Sequence, residues 1–173
     1  INNVETESAH VDVSVPSGVN KPGRFYLSSN RMYVNAGTTY QTDQCYYRLV
    51  RGSYVNGYYD VRRTVRQVIF SITVDDPAAK IVNVGGVAWE LDDSEGSEGR
   101  YTLTYNSTTP SNVNISLPYA VEIPDNAEGG KVYTVKLAAK TVVAQPNGVE
   151  DRIIDFANSQ TLYFQVLPSD SLV

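Results

Sequence analysis

The feature that most constrains the fold of this chain is the alternation of apolar and polar residues within short segments. A period of two residues is typical of a β-strand, because successive side chains point to opposite faces. No long stretch repeats apolar residues at the three- and four-residue spacing of a helix. The clearest alternation spans residues 65–74, and it predicts a strand that places on one face Val68, Phe70, Ile72 and Val74.

The composition supports strands along the whole chain. The 173 residues include 24 Val, 13 Tyr, 13 Thr and 8 Ile, against 9 Leu and one Met. Residues that are β-branched or aromatic suit a pleated surface, whereas Leu and Met suit helices. About a dozen short segments of this kind are separated by Gly, Pro and Asn, a spacing typical of sandwiches and barrels. We therefore predict an all-β protein, an antiparallel β-sandwich of the immunoglobulin-like or pilin-like kind.

An N-terminal extension precedes the body of the chain. Its apolar residues alternate with polar ones, and a segment with two Pro and two Gly follows at residues 16–23. Such a segment is typical of a flexible joint. We predict an extension over residues 1–17 and one β-sandwich domain over residues 18–173, since a chain of this length builds a single core.

Turn sequences within the body predict particular strand pairings. Asn56-Gly57 is the strongest hairpin signal, because both residues tolerate the positive φ of a tight type I′ turn. Gly85-Gly86 predicts a second hairpin between residues 80–84 and 87–91. We also predict a pairing of residues 100–105 with 112–117, one long strand over 131–144, and two closing strands over 151–156 and 161–167.

The scarcity of reactive side chains excludes several kinds of chemistry. One Cys and one His cannot form an internal disulfide or a Cys/His zinc site. The sequence contains no G-x-S-x-G nucleophile motif, so His10 is expected to be incidental and Cys45 to be a buried structural thiol. We predict no catalytic residue, no metal and no cofactor, and hence no enzyme.

The charge and the hydropathy of the chain disfavour two classes of interaction, with nucleic acid and across a membrane. The formal net charge of −5 disfavours a nucleic-acid partner. No apolar run reaches the roughly 18 residues that a membrane-spanning helix needs. The acidic residues between Asp92 and Glu98 do not match the spacing of a calcium-binding loop, and we predict an exposed, solvated loop there.

Tyrosines and arginines are interleaved between residues 46 and 66. Tyr and Arg are enriched at interfaces, and aromatic rings also stack on sugars or bases. Cross-strand pairing within one hairpin is a structural alternative, and the acidic chain disfavours bases. We predict that this segment is either a hairpin surface, a subunit interface or a glycan-binding surface, and its tyrosines are Tyr46, Tyr47, Tyr54, Tyr58 and Tyr59.

Two N-x-[ST] sequons predict glycosylation sites at Asn106 and Asn114. The sequence begins at Ile1 without an initiator Met, as a processed exported chain would. We therefore expect an extracellular or cell-surface location.

The extension and the joint after it resemble those of fimbrial subunits of the chaperone–usher type and of some archaeal surface filaments. The resemblance implies that the extension of one copy completes the sandwich of the next, so that the partner is another copy in a homopolymer. Many such pilins have a Cys pair, which this chain lacks, so it would belong to a disulfide-free branch. A carbohydrate-binding adhesin that contacts host or surface glycans and a viral or phage coat or tail protein are the alternatives. The residues that would form the donor strand are Ala9, Val11, Val13 and Val15.

Overall fold

The computed structural model describes residues 23–42, 45–49, 65–94, 96, 98–106, 113–143 and 152–168. These residues contain β-strands and no helix, which confirms the predicted all-β class. No membrane-crossing helix is found in this part of the chain. The strands are β1 (Gly23–Leu27), β2 (Arg31–Val34), β3 (Thr39–Gln41), β4 (Cys45–Leu49), β5 (Val65–Val74), β6 (Lys80–Val82), β7 (Glu90–Leu91), β8 (Arg100–Asn106), β9 (Val113–Ser116), β10 (Ala120–Glu122), β11 (Val132–Val143) and β12 (Arg152–Val166).

One layer of the sandwich is a six-stranded sheet in the order β2-β12-β11-β5-β8-β7. Its pairs are antiparallel except β2 with β12, which is parallel. The predicted apolar face of β5 is confirmed, because every second residue from 68 to 74 is buried. The neighbouring strand β11 continues this face, since Leu137 lies opposite Ile72 and is also buried.

The other layer combines two three-stranded sheets, β1-β4-β9 and β3-β10-β6. Backbone hydrogen bonds join them: Thr42 N donates to Tyr119 O at 3.0 Å, and Leu117 N donates to Cys45 O at 2.9 Å. As a result, the consecutive strands β3 and β4 lie beside β10 and β9, respectively. The two small sheets therefore form one layer with an irregularity between them.

The apolar faces of the two layers meet in one hydrophobic core. Phe25 of β1, Tyr47 of β4 and Phe70 of β5 pack edge to face, with ring centroids 4.9 to 6.3 Å apart. Tyr40 and Phe164 make a similar contact between the layers at 5.7 Å. Edge-to-face packing is favourable for aromatic rings, so these contacts stabilise the association of the two sheets.

Two predicted pairings are wrong. Strand β6 pairs with β10, and β7 pairs with β8, so the segments around Gly85-Gly86 are not a hairpin. Strand β8 pairs with β5 and β7, while β9 pairs with β4, so residues 100–105 and 112–117 are not partners. Both connections cross from one layer to the other. A turn sequence marks where the chain reverses, but it does not distinguish a hairpin from a crossing between layers.

The C-terminal strands partly follow the prediction. Strand β11 confirms the long strand expected over 131–144, whereas the two closing strands are one continuous strand, β12. The register of β11 with β12 shifts between Ala139 and Thr141. The Asn56-Gly57 hairpin and the extension over residues 1–17 lie outside the described residues.

Candidate binding and assembly surfaces

Four of the predicted site residues fall within the described part of the chain: Tyr46, Tyr47, Asn106 and Asn114. The others lie outside it. They are the donor-strand residues Ala9, Val11, Val13 and Val15, and the tyrosines Tyr54, Tyr58 and Tyr59.

The structure removes Tyr47 from the predicted surface. Its side chain is 1% exposed and lies in the core against Phe25 and Phe70. Tyr46 and Tyr47 are adjacent on a strand, so their side chains must point to opposite faces. Gly23 on the neighbouring strand contributes to this position, because a Cβ atom there would overlap the Tyr47 ring.

Tyr46 is half-buried on the outer face of the β1-β4-β9 sheet, where it pairs with Tyr26. The two rings are stacked, with centroids 5.0 Å apart and planes at 10°. Tyr26 was not among the predicted site residues. The signal was in the sequence, because a strand that buries Phe25 must turn Tyr26 outward, but the partner strand that brings Tyr26 to Tyr46 was not predictable.

Arginines extend this stacked pair along both strands. The Arg24 guanidinium lies 5.2 Å from the centroid of the Tyr26 ring. Arg24 is opposite Arg48, whose Nη1 donates to Asn114 Oδ1 at 3.0 Å. The strands β1, β4 and β9 contain no carboxylate. We call this outer surface the tyrosine–arginine face, and it comprises Arg24, Tyr26, Tyr46, Arg48, Asn114 and Ser116.

The predicted glycosylation residues both lie at the surface and both accept hydrogen bonds. Asn114 Oδ1 accepts from Arg48, as above, and Asn106 Oδ1 accepts from Gln67 Nε2 at 3.0 Å. Both side chains are exposed. Glycosylation of these residues stays a prediction.

One end of the sandwich brings several loops together. Lys131 Nζ lies 3.2 Å from Asp76 Oδ2, which connects the β5–β6 loop with the β10–β11 loop. Gly37 N donates to Pro124 O at 3.0 Å, which connects the β2–β3 loop to the same group. Val74 N donates to Gly99 O at 2.8 Å, which adds the segment before β8. These loops therefore lie together, although they are distant in sequence.

This end is rich in carboxylates, and we call it the acidic end. Its described basic residues are Lys80, Arg100 and Lys131, and two of them are in ion pairs with carboxylates. The eight described carboxylates at this end are Asp75, Asp76, Asp92, Asp93, Glu98, Glu122, Asp125 and Glu128.

Hydrogen bonds hold two of these carboxylates in the ionised form. Asp92 Oδ1 accepts from the Oγ and N of Ser94 at 2.6 and 3.0 Å, and Oδ2 accepts from Nε and Nη2 of Arg100 at 2.9 and 2.7 Å. The bonds from Ser94, followed by those from Arg100, lower the pKa of Asp92 well below its usual range. A backbone hydrogen bond from Ala78 and a contact with Lys131 lower the pKa of Asp76. The acidic end therefore keeps these charges at neutral pH.

The described residues at the opposite end of the sandwich have the opposite charge. This end is formed where β4, β8 and β11 end and where β1, β5 and β9 begin. Among the residues there whose side chains are described, Arg24 and Arg48 are basic and none is acidic. We call this the basic end. Sequence reasoning did not find this separation of charge, because it arises from loops and strand ends that only the fold brings together.

Reactive groups are sparse in the described part of the chain. Cys45 is buried, as predicted, and desolvation raises the pKa of its thiol to about 12. The thiol is therefore neutral at physiological pH. No group of three or more His, Cys, Asp or Glu side chains among the described residues is arranged to hold a metal ion.

Comparison with known proteins identifies the fold. No protein-family model and no curated protein matches the chain. A type I cohesin of Pseudobacteroides cellulosolvens is similar in structure, with a TM-score of 0.50 and 12% identity over 81% of this chain and 90% of that one. The fold of this chain is therefore a β-sandwich that is similar to the fold of this cohesin.

Two other solved structures show weaker similarity. One is a type I cohesin–dockerin complex from Clostridium thermocellum, with a TM-score of 0.49 and 8% identity over 85% of this chain and 100% of the matched chain. The other is the collagen-binding domain of a Staphylococcus aureus adhesin, with a TM-score of 0.39 and 9% identity over 84% of this chain and 98% of that one.

Proposed function

We propose that this chain is a structural, non-catalytic subunit of an extracellular assembly in which copies associate end to end. The observation that carries the proposal is the separation of charge between the acidic and the basic end. A contact between the acidic end of one copy and the basic end of the next uses two different surfaces. Such a heterologous contact leaves one surface of each kind free, so it builds rings or open filaments.

The net charge and the positions of the exposed charges favour end-to-end contact over side-by-side contact. With a net charge of −5, copies repel one another unless opposite charges face each other. Asp93, Glu98 and Asp125 are exposed at the acidic end, and Arg24 is exposed at the basic end. Exposed charges interact over a Debye length of about 10 Å at 0.1 M salt, so the association should weaken as salt is added.

Paired charge reversal tests this proposal. Sedimentation velocity in low salt should show self-association of the full chain and its loss at about 1 M salt, where the Debye length is about 3 Å. Each reversed variant alone should remain monomeric, because its two ends carry charges of the same sign. An equimolar mixture of the two should associate again. The acidic-end variant combines Asp93→Lys, Glu98→Lys and Asp125→Lys, and the basic-end variant combines Arg24→Glu and Arg48→Glu.

Matched controls reverse charges on strands between the two ends. Glu90→Lys and Lys140→Glu change the net charge by the same step per residue, but both residues lie near the middle of the six-stranded sheet along its strands, where Glu90 is opposite Thr102 and Lys140 is opposite Ile69. Both should associate as the unmodified chain does. A full chain that stays monomeric in low salt would contradict the proposal. Reversed variants that associate normally on their own would also contradict the proposal.

We also propose that the extension adds a strand to a neighbouring copy, as its resemblance to fimbrial subunits implies. Strand β1 lies at the edge of its described sheet and begins at Gly23, within the joint that follows the extension. An added strand extends a sheet at an edge of this kind. The extension is supported as the donor by its alternation, which would bury Val11, Val13 and Val15 on one face.

Deletion of residues 1–15 tests strand addition separately from the charged ends. If the extension links the copies, the deletion should prevent polymers in the electron microscope. The point variant Val13→Asp should have the same effect, because a buried carboxylate without a partner is unfavourable. Normal polymers from the truncated chain would exclude strand addition and leave the end-to-end contact intact.

A further inference from the structure

We propose that the tyrosine–arginine face is a binding site for an acidic polysaccharide, with the stacked rings of Tyr26 and Tyr46 as the aromatic anchor for a sugar ring. The site shares Arg24 and Arg48 with the basic end, but it also requires the two rings, so the tyrosine variants test it separately from the contact between ends. The shape of the face, its charge and its size support such a ligand.

The shape suits the flat face of a sugar ring. The two tyrosine rings on neighbouring strands are stacked, with 10° between their planes, so Tyr26 covers one face of the Tyr46 ring. A sugar ring would contact the other face of Tyr46, on the side of Ser116. Each ring offers an apolar body and a hydroxyl group, so it can contact C–H groups and form hydrogen bonds at its tip. Ser116 lies opposite Tyr46 on the third strand and adds a further hydroxyl group.

The charge suits an acidic ligand. Arg24 and Arg48 lie opposite each other, one register position from the tyrosine pair, and the three strands contain no carboxylate. Guanidinium groups bind carboxylates and sulfates through paired hydrogen bonds. Asn114 Oδ1 accepts a hydrogen bond from Arg48 Nη1 at 3.0 Å, which orients that guanidinium. In an acidic protein, this local positive charge favours an anionic partner.

The size favours a polysaccharide over a folded protein. The face spans three strands, a width of about 10 Å at the usual spacing of 4.8 Å. A stable protein interface buries about 800 Å² on each partner, which is more than this face offers. Two or three sugar units in a row cover such an area.

Affinity electrophoresis of the full chain tests the site, with gels that contain polygalacturonate, dextran sulfate or neutral dextran. We expect retardation by one or both acidic polymers and none by dextran. Tyr26→Thr and Tyr46→Thr should each weaken binding by about tenfold or more, as truncation of an aromatic anchor usually does. The matched control is Tyr33→Thr, which removes an exposed tyrosine on the other layer and should leave binding unchanged.

The two acidic polymers distinguish the ligand chemistry. Stronger retardation by polygalacturonate assigns the site to carboxylated sugars, and stronger retardation by dextran sulfate assigns it to sulfated ones. The double variant Arg24→Gln with Arg48→Gln should remove binding to either. A urea unfolding curve for each variant separates loss of binding from loss of folding.

Several results would contradict the proposed binding site. One is the absence of binding to either acidic polymer, and another is equal binding to dextran. Tyrosine variants that fold and bind as tightly as the unmodified chain would show that only charge acts. Tighter binding of single-stranded oligo-dT than of either acidic polymer would assign the face to nucleic acid. The tyrosine variants should still associate end to end, so a failure here leaves the proposed assembly untouched.

Discussion

The inner and outer faces of the β1-β4-β9 sheet are built from the same kinds of residue and serve different purposes. On the inner face, Phe25 and Tyr47 pack edge to face in the core. On the outer face, Tyr26 and Tyr46 stack in parallel beside two arginines. Adjacent residues on a strand alternate between core and solvent, so the aromatic pair Tyr46-Tyr47 has one member in each environment. The comparison implies that stability and binding can be changed separately in this sheet.

The largest expected effect is on the inner face. Tyr47→Ala should lower the free energy of unfolding by about 3–5 kcal/mol, because it leaves a cavity where a fully buried ring contacted both layers. Urea unfolding followed by tryptophan fluorescence measures the change, since Trp89 is buried. A loss below about 1 kcal/mol would show that Tyr47 is not part of a well-packed core.

Gly23 tests how tightly the inner face is packed. A Cβ atom at Gly23 would overlap the Tyr47 ring, and a buried ring has little room to move. Gly23→Ala should therefore cost about 2 kcal/mol, as insertion of a methyl group into a packed core does. In a Tyr47→Ala background the same substitution should cost almost nothing, because the ring is gone. Additive effects of the two substitutions would contradict this contact.

Cys45 lies on the same inner face and makes the stability of the protein depend on pH. Burial raises the pKa of the Cys45 thiol to about 12, above the value of about 8.5 in an unfolded chain. The unfolded chain therefore loses this proton first, and stability falls as the pH rises above 8.5. At about pH 9.5 the loss from this group should be about 1.4 kcal/mol. The control Cys45→Ala should lack this part of the decline, and an identical pH profile would contradict the burial of the thiol.

The sequence allowed the fold class and the core faces to be predicted, because alternation is a local property. It identified the buried face of β5 and the first half of β11 in this way. The pairing of β6 with β10 and of β8 with β5 could not be predicted, since each depends on where a connection crosses between layers.

The surfaces were harder to predict than the core. Tyr46 was identified, but Tyr47 was placed on the same surface because a count of aromatic residues ignores the face each one occupies. Tyr26 and the acidic end were missed for a different reason. Both depend on segments that are far apart in sequence and meet only in the folded chain, as Asp76 and Lys131 do.

The smallest expected effect is on the outer face, and it completes the comparison. Tyr46→Ala removes a half-buried ring whose main described contact is the stacked ring of Tyr26. The free energy of unfolding should fall by about 1 kcal/mol, the usual contribution of an aromatic pair, because solvent fills the space and no cavity forms. Tyr46→Phe should be close to neutral, since the stack needs the ring and not the hydroxyl group. Urea midpoints of these two variants and of Tyr47→Ala, measured side by side, give the contrast directly. If Tyr46→Ala lost as much stability as Tyr47→Ala, both tyrosines would be core residues, and the outer face would have no ring available for a ligand.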